Sequence, residues 1–470
     1  MLGIVLNGKQ REVMALPAKG HIIVLGTAGS GKTTLALLRA QHLANLPGNG
    51  RVLLVTFNGA LVKYMRGISG FQSPKLVVEN YHKFARGYLH SKGKMPQRNG
   101  ILDTDEKSRY IELAVEFYKK QHPTESTFRR SKEFFIDEIT FIQKFGFANF
   151  AAYYDAERIG RAAANIKREN RKLIFNVYEK YIELRKATGR EYDWDDLAFY
   201  VYNELQNDFN ARMYTHIIID EGQDFSPIMI KSLVNAVGKG GSFTFFGDVA
   251  QQIYGSRLSW RHSEINADKI WRFDVNYRNP PTITAFANDI TKSEYWQQND
   301  DMVVATNQVA EGPKPVLIKF DNKESEMNWV VKRAIDAGRT SSVVIVCRNR
   351  AYIDSFMKII QNMGSGATEI DKDTPGYAHT KIIYLTTFHA AKGLEFENVF
   401  VPFLSEDKFP SQDIVATAVS KDEMFSDEIK LLYVAATRSK YGLYMSCHGT
   451  LSPLFPKNST NCDMYGEEDL

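Results

Sequence analysis

The hydrophobic positions of the chain fall into short apolar runs, separated by turns and by longer segments with helical spacing. The first run is HIIVLG, residues 21–26, and a glycine-rich turn separates it from the helical segment KTTLALLRAQHLANL, residues 32–46. A second apolar run, RVLLVTF, follows at residues 51–57. A strand, a helix and another strand in this order predict a parallel sheet with a right-handed crossover connection.

Between residues 85 and 205 the pattern changes, and apolar residues recur three and four positions apart over long segments. Two examples are DEKSRYIELAVEFYKKQ, residues 105–121, and RKLIFNVYEKYIELRKA, residues 171–187. This spacing is typical of amphipathic helices, so we predict a mostly helical insertion. Its basic stretch NIKRENRKL, residues 165–173, is open to two interpretations: a solvated helix face or an accessory contact with duplex nucleic acid.

Apolar strand-like runs return after the helical region. They are HIIIDE (216–221), SFTFFGD (242–248), PVLIKF (315–320), SSVVIVCRN (341–349), KIIYLTTF (381–388) and NVFVPFL (398–404). The pattern predicts an α/β protein with two cores and a helical module inserted in the first. We expect the tail, residues 456–470, to be poorly packed.

Composition narrows the function classes without selecting one. Of 470 residues, 44% are hydrophobic and 24% charged, as in ordinary globular proteins, and the net charge of +4 is only a faint hint of polyanion binding. The three cysteines form no C-x-x-C pair, which argues against a zinc or iron–sulfur framework and fits a reducing cytoplasm. No apolar run approaches the length that spans a bilayer, so we expect no membrane partner.

The segment GTAGSGKTT, residues 26–34, carries the clearest chemical signal. It matches G-x-x-x-x-G-K-[ST] and lies between a predicted strand and a predicted helix. Glycines let the backbone wrap around phosphate, and the helix N-terminus supplies positive potential. Lys32 is expected to reach the β- and γ-phosphates, and the Thr33 hydroxyl to touch Mg²⁺. The alternative is a chance glycine-rich turn.

A second signal is IIIDEGQDF, residues 217–225, in which an apolar run leads directly into acids. Burying an unpaired carboxylate costs free energy, so we expect the acids at this strand end to have a function. Beside a phosphate-binding loop, Asp220 would hold Mg²⁺ through water, and Glu221 would orient and deprotonate the attacking water. The alternative is an acidic strand end whose side chains are solvated.

The chain carries a series of motifs in this order: LNGKQ, GTAGSGKTT, TFNGALVKYMR, NYHKF, DEGQDF, GDVAQQIYG, NYRNP, TFHAAKGLEF and LLYVAATR. The ordered series resembles the UvrD/Rep type of superfamily 1 DNA helicases over nearly the whole chain. The resemblance implies two RecA-like P-loop NTPase cores. The first core would comprise residues 1–84 and 206–276, with the helical insertion at 85–205, and the second core residues 277–470.

The resemblance also implies an ATP site with its cofactors ATP and Mg²⁺. The residues expected to contact the nucleotide are Gln10, Gly26, Thr27, Ala28, Gly29, Ser30, Gly31, Lys32, Thr33, Thr34, Tyr277, Arg278, Glu395 and Arg438. Gln10 would read adenine, Tyr277 would stack on it, and Glu395 would contact the ribose. Gln251 would sense the γ-phosphate, while Arg278 and Arg438 would act as arginine fingers from the second core.

A nucleic-acid track is the next implication of the resemblance. Phe57, His82, Tyr254 and His389 stand where the family places groups against bases or backbone, and Thr56, Asn58, Arg257 and Thr387 flank them. Aromatic stacking tolerates any base, which suits a motor that steps along arbitrary sequence. The alternative is that Phe57 and Tyr254 are core aromatics.

Some features depart from the family pattern. Residues 281–385 leave no room for the helical 2B domain that large members insert there, and CHGTLSPLF, residues 447–455, is a poor candidate for their strand-separating hairpin. Ser256 occupies a position where the family has tryptophan. Trp260 is an alternative candidate for that tryptophan. Thr34 replaces a frequent arginine.

We therefore expect an ATP-dependent 3′–5′ single-stranded DNA translocase or DNA helicase, acting on single strands or tailed duplex in repair or phage defence. One alternative is a nucleic-acid-sensing regulatory ATPase, for example in an anti-phage system beside a partner nuclease. Another is an RNA motor, since base stacking does not by itself distinguish RNA from DNA.

Overall fold

The computed structural model describes most of the chain. The described residues are 6, 8–48, 50–57, 59–67, 73–96, 100–156, 166–251, 263–296, 302–307, 311–370, 383–417 and 421–469. They form a mixed α/β structure with two large parallel sheets, and helices separate most of the consecutive strands. None of the described helices is long and apolar enough to cross a membrane.

The described strands are, in chain order, β1 (Gly20–Gly26), β2 (Arg51–Thr56), β3 (Leu76–Asn80), β4 (Ile101–Leu102), β5 (Tyr192–Asp193), β6 (Tyr214–Ile219), β7 (Val237–Gly247), β8 (Ile270–Phe273), β9 (Val275–Asn276), β10 (Thr306–Asn307), β11 (Val316–Phe320), β12 (Val343–Cys347), β13 (Ala367–Glu369), β14 (Ile383–Thr387), β15 (Phe396–Val401), β16 (Ser439–His448) and β17 (Asp463–Gly466). The described α-helices are α1 (Gly8–Ala15), α2 (Lys32–Asn45), α3 (Gly59–Gly67), α4 (Tyr81–Ser91), α5 (Thr104–Gln121), α6 (Lys132–Phe145), α7 (Phe150–Asp155), α8 (Arg171–Lys186), α9 (Leu197–Gln206), α10 (Pro227–Asn235), α11 (Pro281–Ile290), α12 (Lys323–Gly338), α13 (Arg350–Asn362), α14 (Gln412–Thr417) and α15 (Lys421–Ala436).

The first sheet has the strand order β3-β2-β6-β7-β1-β8, and every pairing is parallel. Both of its faces are covered, which explains why β6 is apolar at consecutive positions. Ile217 and Ile219 pack into the hydrophobic cluster on one face, and Ile218 into the cluster on the other. Because β1, β7 and β6 are neighbours, the loops that follow these strands meet at one edge of the sheet.

The second sheet has the strand order β13-β14-β12-β15-β16-β11-β17, also entirely parallel. Its inner strand β12 shows the same two-sided burial. Val344 and Val346 join one apolar cluster, while Val343, Ile345 and Cys347 join the other. These two parallel sheets are the two RecA-like cores that the motif series implied.

Helices α5 to α8 enclose a hydrophobic cluster of their own, to which Ile111, Phe135, Ile142 and Ile174 contribute fully buried side chains. A polar network fastens this insertion to the short strand β5. Asp193 accepts hydrogen bonds from the side chains of Gln143, Tyr181 and Arg185. The insertion thus has an apolar centre and a buried ionic network around β5.

The apolar runs of the sequence predicted eight of the strands, but the structure adds others. Among the described residues these are β3, β4, β5, β8, β9, β10, β13, β16 and β17, and the sequence suggested no strand at any of them. The expectation of a poorly packed tail is wrong, because β17 pairs with β11 and Cys462 is buried against the second core. The segment at 447–455 is likewise packed, with Leu454 and Phe455 buried in the second core.

Motif-bearing segments of the first core reach into the second. Ala250, just after β7, belongs to an apolar cluster otherwise built by the second core. Going the other way, the amide of Tyr277 donates to the carbonyl of Gly29 over 2.9 Å. The carboxyl ends of the central strands of the first sheet therefore face a cleft that the second core lines.

Candidate active site

The glycine-rich loop joins β1 to α2 in a conformation that depends on glycine. Gly29 and Gly31 have φ angles of 70° and 81°, and residues with a Cβ rarely adopt these angles. A Cβ on Gly29 would lie 2.2 Å from Oδ1 of Asn276, so close approach also excludes a side chain. Helix α2 has no side-chain cap at its start. Its first amides therefore point into the loop, as required for binding an anion.

Lys32 begins α2 and is buried beneath the loop. Its ammonium donates to the carbonyl oxygens of Gly26 and Thr27 over 3.1 and 2.6 Å, and lies 3.4 Å from Oδ2 of Asp248. The lysine therefore places a positive charge at the centre of the loop, where phosphate charge would be neutralised.

Asp220 and Glu221 leave β6 beside this lysine. Both carboxylate oxygens of Asp220 are buried without a hydrogen-bond partner of ordinary geometry in the described part of the chain. Burial, and then the charge of Glu221, raise the pKa of Asp220, while the Thr33 hydroxyl opposes the rise. A buried carboxylate without donors is costly unless a cation balances it, so Asp220 fits a metal-linked role with Thr33.

Glu221 is held in an unusual backbone conformation, with φ 54°. Non-glycine residues adopt this left-handed region at a cost of about 1–3 kcal/mol, and such strain clusters at functional sites. Burial alone would raise the pKa of Glu221, but Lys392 and then Lys32 outweigh it and leave the pKa lowered. Glu221 is therefore charged at neutral pH and able to accept a proton.

Gln223 links this acid to the segment after β7. Its amide nitrogen donates to Glu221 Oε2, and its Oε1 accepts from the backbone amide of Asp248 over 2.7 Å. Asp248 Oδ2 in turn accepts from Nε2 of Gln251 over 2.7 Å. The sequence analysis assigned no role to Gln223 or Asp248, although both stand inside recognised motifs.

The second core supplies two arginines to the same place. Arg438 is fully buried, and its Nη2 donates to Oε1 of Gln251 over 2.8 Å. Burial, and then the neighbouring Arg278, lower the pKa of Arg438 to about 10, so it stays charged at neutral pH. Arg278 forms an ion pair with Glu395 and lies 3.5 Å from the carbonyl oxygen of Thr437.

These groups surround a cavity of about 360 Å³ between the cores. It is lined by Gly29, Ser30, Gly31, Lys32, Thr33, Thr34, Glu221, Gln251, Tyr277, Arg278, Glu395, Arg438 and Lys440. The sequence analysis missed Lys440, which lies 2.8 Å from Glu395. Gln10 stands behind the loop and donates to the carbonyl of Ser30 over 3.1 Å. The remaining predicted loop residues, Gly26, Thr27 and Ala28, form the loop's base.

Two residues of the predicted nucleic-acid track touch each other after β2 and β3. The rings of Phe57 and His82 lie 5.6 Å apart, edge to face. The His82 ring also contacts Trp194, with 5.2 Å between ring centroids. Burial lowers the pKa of His82, and Asp195 opposes that effect. Trp194 is 37% exposed, and the sequence analysis missed it because it lies far away in the helical insertion.

The other track residues differ in exposure. Thr56 is fully buried, whereas Thr387 and His389 are half-buried at the end of β14 in the second core. Burial, followed by Arg348 and Lys392, lowers the pKa of His389 to about 4, so this histidine is neutral at pH 7. The predictions for Asn58, Tyr254 and Arg257, and the Ser256 and Trp260 substitution, lie outside the described residues.

Comparison with known proteins identifies the family. The family model for the UvrD/REP helicase N-terminal domain matches residues 6–269, and that for the UvrD-like helicase C-terminal domain matches residues 367–450. This chain belongs to the UvrD/REP helicase family. Helicases of this family use ATP.

Relatives of the chain carry helicase names. A probable DNA helicase of Mycoplasma pneumoniae is 24% identical over 480 residues, covering 94% of this chain and 83% of the relative. A putative ATP-dependent DNA helicase of Bacillus subtilis, YjcD, is 26% identical over 69% of this chain and 43% of the relative. The exonuclease/helicase subunit RexA of Lactococcus lactis is 28% identical over 29% of this chain and 12% of the relative. The chain thus spans less than half of the last two relatives.

The cavity of this UvrD/REP family member fits a nucleotide with a divalent cation. The described residues contain no cluster of three or more His, Cys, Asp or Glu side chains that could hold a metal. Mg²⁺ at a nucleotide does not need one, because phosphates and waters supply most of its ligands. The unpartnered oxygens of Asp220 and the adjacent Thr33 hydroxyl are the groups that would complete such a site.

Proposed function

We propose that this chain is an Mg²⁺- and ATP-dependent motor that moves 3′ to 5′ along single-stranded DNA and acts as a DNA helicase. The observation that carries the proposal is the shared cavity. Lys32 and Glu221 from the first core, and Arg278 and Arg438 from the second, all line it. A nucleotide held there would contact both cores, so its hydrolysis would change how the cores meet.

Each catalytic group has a distinct role in the proposal. Lys32 and the amides of the loop would bind the phosphates, and bound Mg²⁺, held by Thr33 and Asp220, would neutralise phosphate charge. Glu221, whose lowered pKa keeps it deprotonated at neutral pH, would orient a water and accept its proton. Arg278 and Arg438 would balance the charge that develops during transfer, an effect worth about 10³–10⁵ in rate for an arginine finger.

Coupling to movement would pass through Gln251. Its side chain bonds Asp248 in the first core and Arg438 in the second, so it senses both the phosphate loop and closure. Phe57, His82 and Trp194 would receive DNA bases by stacking, at about 1–3 kcal/mol per base. The 3′–5′ polarity follows from the family resemblance.

The domain division predicted from the sequence completes the proposal: residues 1–84 and 206–276, 85–205, and 277–470. Strands β11, β12 and β13, which lie within 281–385, all belong to the second sheet. This supports a compact motor without the 2B insertion.

A second candidate is a motor protein that works beside a nuclease. The observation that favours it is the match to an exonuclease/helicase subunit, which covers only 29% of this chain. The assignment would change the partner and leave the ATP site unchanged. Co-purification of a nuclease with the tagged chain from its own cells would support it.

The test of the main proposal is DNA-stimulated ATP hydrolysis by Lys32→Ala and Glu221→Gln. We expect each variant to lose at least about 100-fold in turnover. The matched control is Glu138→Gln, a buried acid of the insertion that accepts a hydrogen bond from Tyr153 over 2.7 Å. It should turn over ATP like the wild type. Wild-type turnover by Lys32→Ala or Glu221→Gln would rule out the site.

A further inference from the structure

A buried ion pair joins the two cores beside the nucleotide cavity. The ammonium of Lys392, in the turn after β14, donates to Oδ1 of Asp224 and to the backbone carbonyl of Gln251. Asp224 ends the 3-10 turn that follows β6, so the acid belongs to the first core and the lysine to the second. The two side chains are 2% and 3% exposed.

The surroundings of the pair form a close contact between the cores. Gly393, the next residue after the lysine, has φ 81°, and a Cβ there would lie 3.7 Å from the Leu61 side chain of α3. Ala250, which precedes Gln251, is buried in a cluster of the second core. The pair is therefore shielded from water by packing that exists only while the cores touch.

This location makes the energy of the pair depend on closure. With the cores together, water is excluded, so the attraction between the charges is strong and each charge needs the other. If the cores separate, both charges return to water and neither partner is required. An ion pair inside one core would have no such dependence.

The pair also acts on a residue of the ATP site. Lys392 holds the backbone carbonyl of Gln251, and Arg438 Nη2 holds the side-chain Oε1 of the same residue at 2.8 Å. Both contacts come from the second core. When the cores are closed, Lys392 therefore fixes the backbone of Gln251 and Arg438 fixes its side chain. The orientation of Gln251 toward the cavity depends on both contacts.

We propose that Asp224 and Lys392 form a closure latch, a pair of positioning residues that holds the two cores together over the nucleotide and sets Gln251. The latch rests on the proposed function, since it is useful only if a nucleotide closes the cleft. Neither residue lines the cavity. Against the effect of burial, Lys392 also acts on Glu221 as the main charge that lowers the pKa of that carboxyl, so the closure measurement, and not turnover alone, tests the latch.

The first experiment measures closure directly in the full chain. Cysteines introduced at the exposed positions Asn45 in the first core and Lys358 in the second would carry a fluorophore pair, because the three native cysteines are buried. A non-hydrolysable ATP analogue with Mg²⁺ should raise energy transfer in the otherwise unchanged chain. With saturating analogue and Mg²⁺, Lys392→Met should produce a smaller rise, and by linkage it should bind the analogue more weakly, by at most about tenfold.

The second experiment compares turnover. Lys392→Met should lower kcat for DNA-stimulated hydrolysis by about tenfold, because coupling energies of this kind change equilibria by about 5–150-fold. Asp224→Asn/Lys392→Met should lose less than the single variants predict together, since it leaves no unpaired buried charge. The matched control is Lys107→Met. This buried lysine pairs with Asp195 at 2.7 Å inside the insertion, and its loss should leave closure unchanged.

The outcomes separate the latch from the proposed function. If Lys392→Met closes and turns over ATP like wild type while Lys32→Ala is inactive, the latch is wrong and the ATP site stands. If Lys32→Ala is also fully active, the proposed function has failed. If Lys107→Met impairs closure as much as Lys392→Met does, loss of a buried charge is a general structural defect and the latch is again wrong.

Discussion

Two buried acid pairs in this chain have opposite surroundings. Asp193 and Asp196, at the foot of the helical insertion, lie 3.0 and 2.7 Å from Nη1 of Arg185. Asp193 also accepts from Gln143 and Tyr181. Asp220, at the end of β6, has two buried oxygens without a hydrogen-bond partner of ordinary geometry among the described residues. Both sites are buried, but among the described residues only the first has its charge satisfied by a cation in contact: Arg185 pairs with both acids, although Asp196 Oδ2 and Arg185 Nε make no hydrogen bond of ordinary geometry.

The pKa values alone do not separate the two sites. Burial, and then Asp193, raise the pKa of Asp196, just as burial and then Glu221 raise that of Asp220. What differs is whether a cationic side chain of the protein lies in contact with the acid, as Arg185 does in the first site. A buried network whose charges are paired specifies structure, whereas an unpaired carboxylate beside a phosphate-binding loop indicates a place where a cation binds.

Asp220→Asn gives the largest expected effect and probes the unsatisfied site. We expect DNA-stimulated ATP turnover to fall by at least about 100-fold, because charge stabilisation by a bound metal is worth several kcal/mol. Local stability should not fall, since neutralising an unpartnered buried carboxylate removes a desolvation cost. Steady-state hydrolysis and hydrogen exchange of the β6 amides measure the two effects. Faster hydrogen exchange of the β6 amides in Asp220→Asn would contradict the proposed difference between the two acid sites.

Asp193→Asn probes the satisfied site. Removing one charge from a buried network leaves Arg185 and Lys107 undercompensated, so we expect the opening free energy of α8 to fall by about 3–5 kcal/mol. Native-state hydrogen exchange of the α8 amides measures this local change. Asp105→Asn, an exposed acid in the first turn of α5, is the control and should change it by less than about 0.5 kcal/mol. An equal fall in the opening free energy of α8 in Asp193→Asn and Asp105→Asn would refute the structural role of Asp193.

Trp194→Ala extends the comparison of the two acid sites. In the sequence Trp194 lies between Asp193 and Asp196, and its ring contacts His82. If the buried ionic network around β5 exists to place this ring against DNA, the variant should lose about 1–3 kcal/mol of binding to single-stranded poly(dT). Nucleotide affinity without DNA should not change. Fluorescence anisotropy at fixed salt measures the loss.

Phe209→Ala is the matched control for that experiment, since Phe209 is 97% exposed in the loop before β6 and is not part of the track. Its DNA affinity should equal that of the wild type. The same assay with poly(U) distinguishes an RNA motor: binding or ATPase stimulation as strong as with poly(dT) would favour the RNA alternative.

Most of the side chains that line the candidate site could be named from the sequence, because they lie in short local motifs. The loop at 26–34 and the acids after β6 are short motifs, and parallel strands bring their carboxyl ends to one edge. Gln223, Lys392 and Lys440 were assigned no role, because their contacts depend on which distant elements meet. Trp194 was missed for the same reason, since a single aromatic in a helical region predicts core packing.

The fold shows a similar division. Strands with consecutive apolar residues, such as β6 and β12, were predictable because both faces are buried. Strand β16 was missed, since SKYGLYMSCH mixes polar and apolar positions, although most of it is buried. The tail strand β17 has only four residues, and its pairing with β11 depends on tertiary structure.

The central claim is that residues from both cores complete one hydrolytic site, and Arg438→Ala tests it most directly. Single-turnover hydrolysis should be measured with saturating ATP, Mg²⁺ and single-stranded DNA, together with nucleotide affinity. The account predicts a fall in rate of about 10³-fold or more, with affinity within about threefold of wild type. Hydrolysis at the wild-type rate by Arg438→Ala would contradict the account.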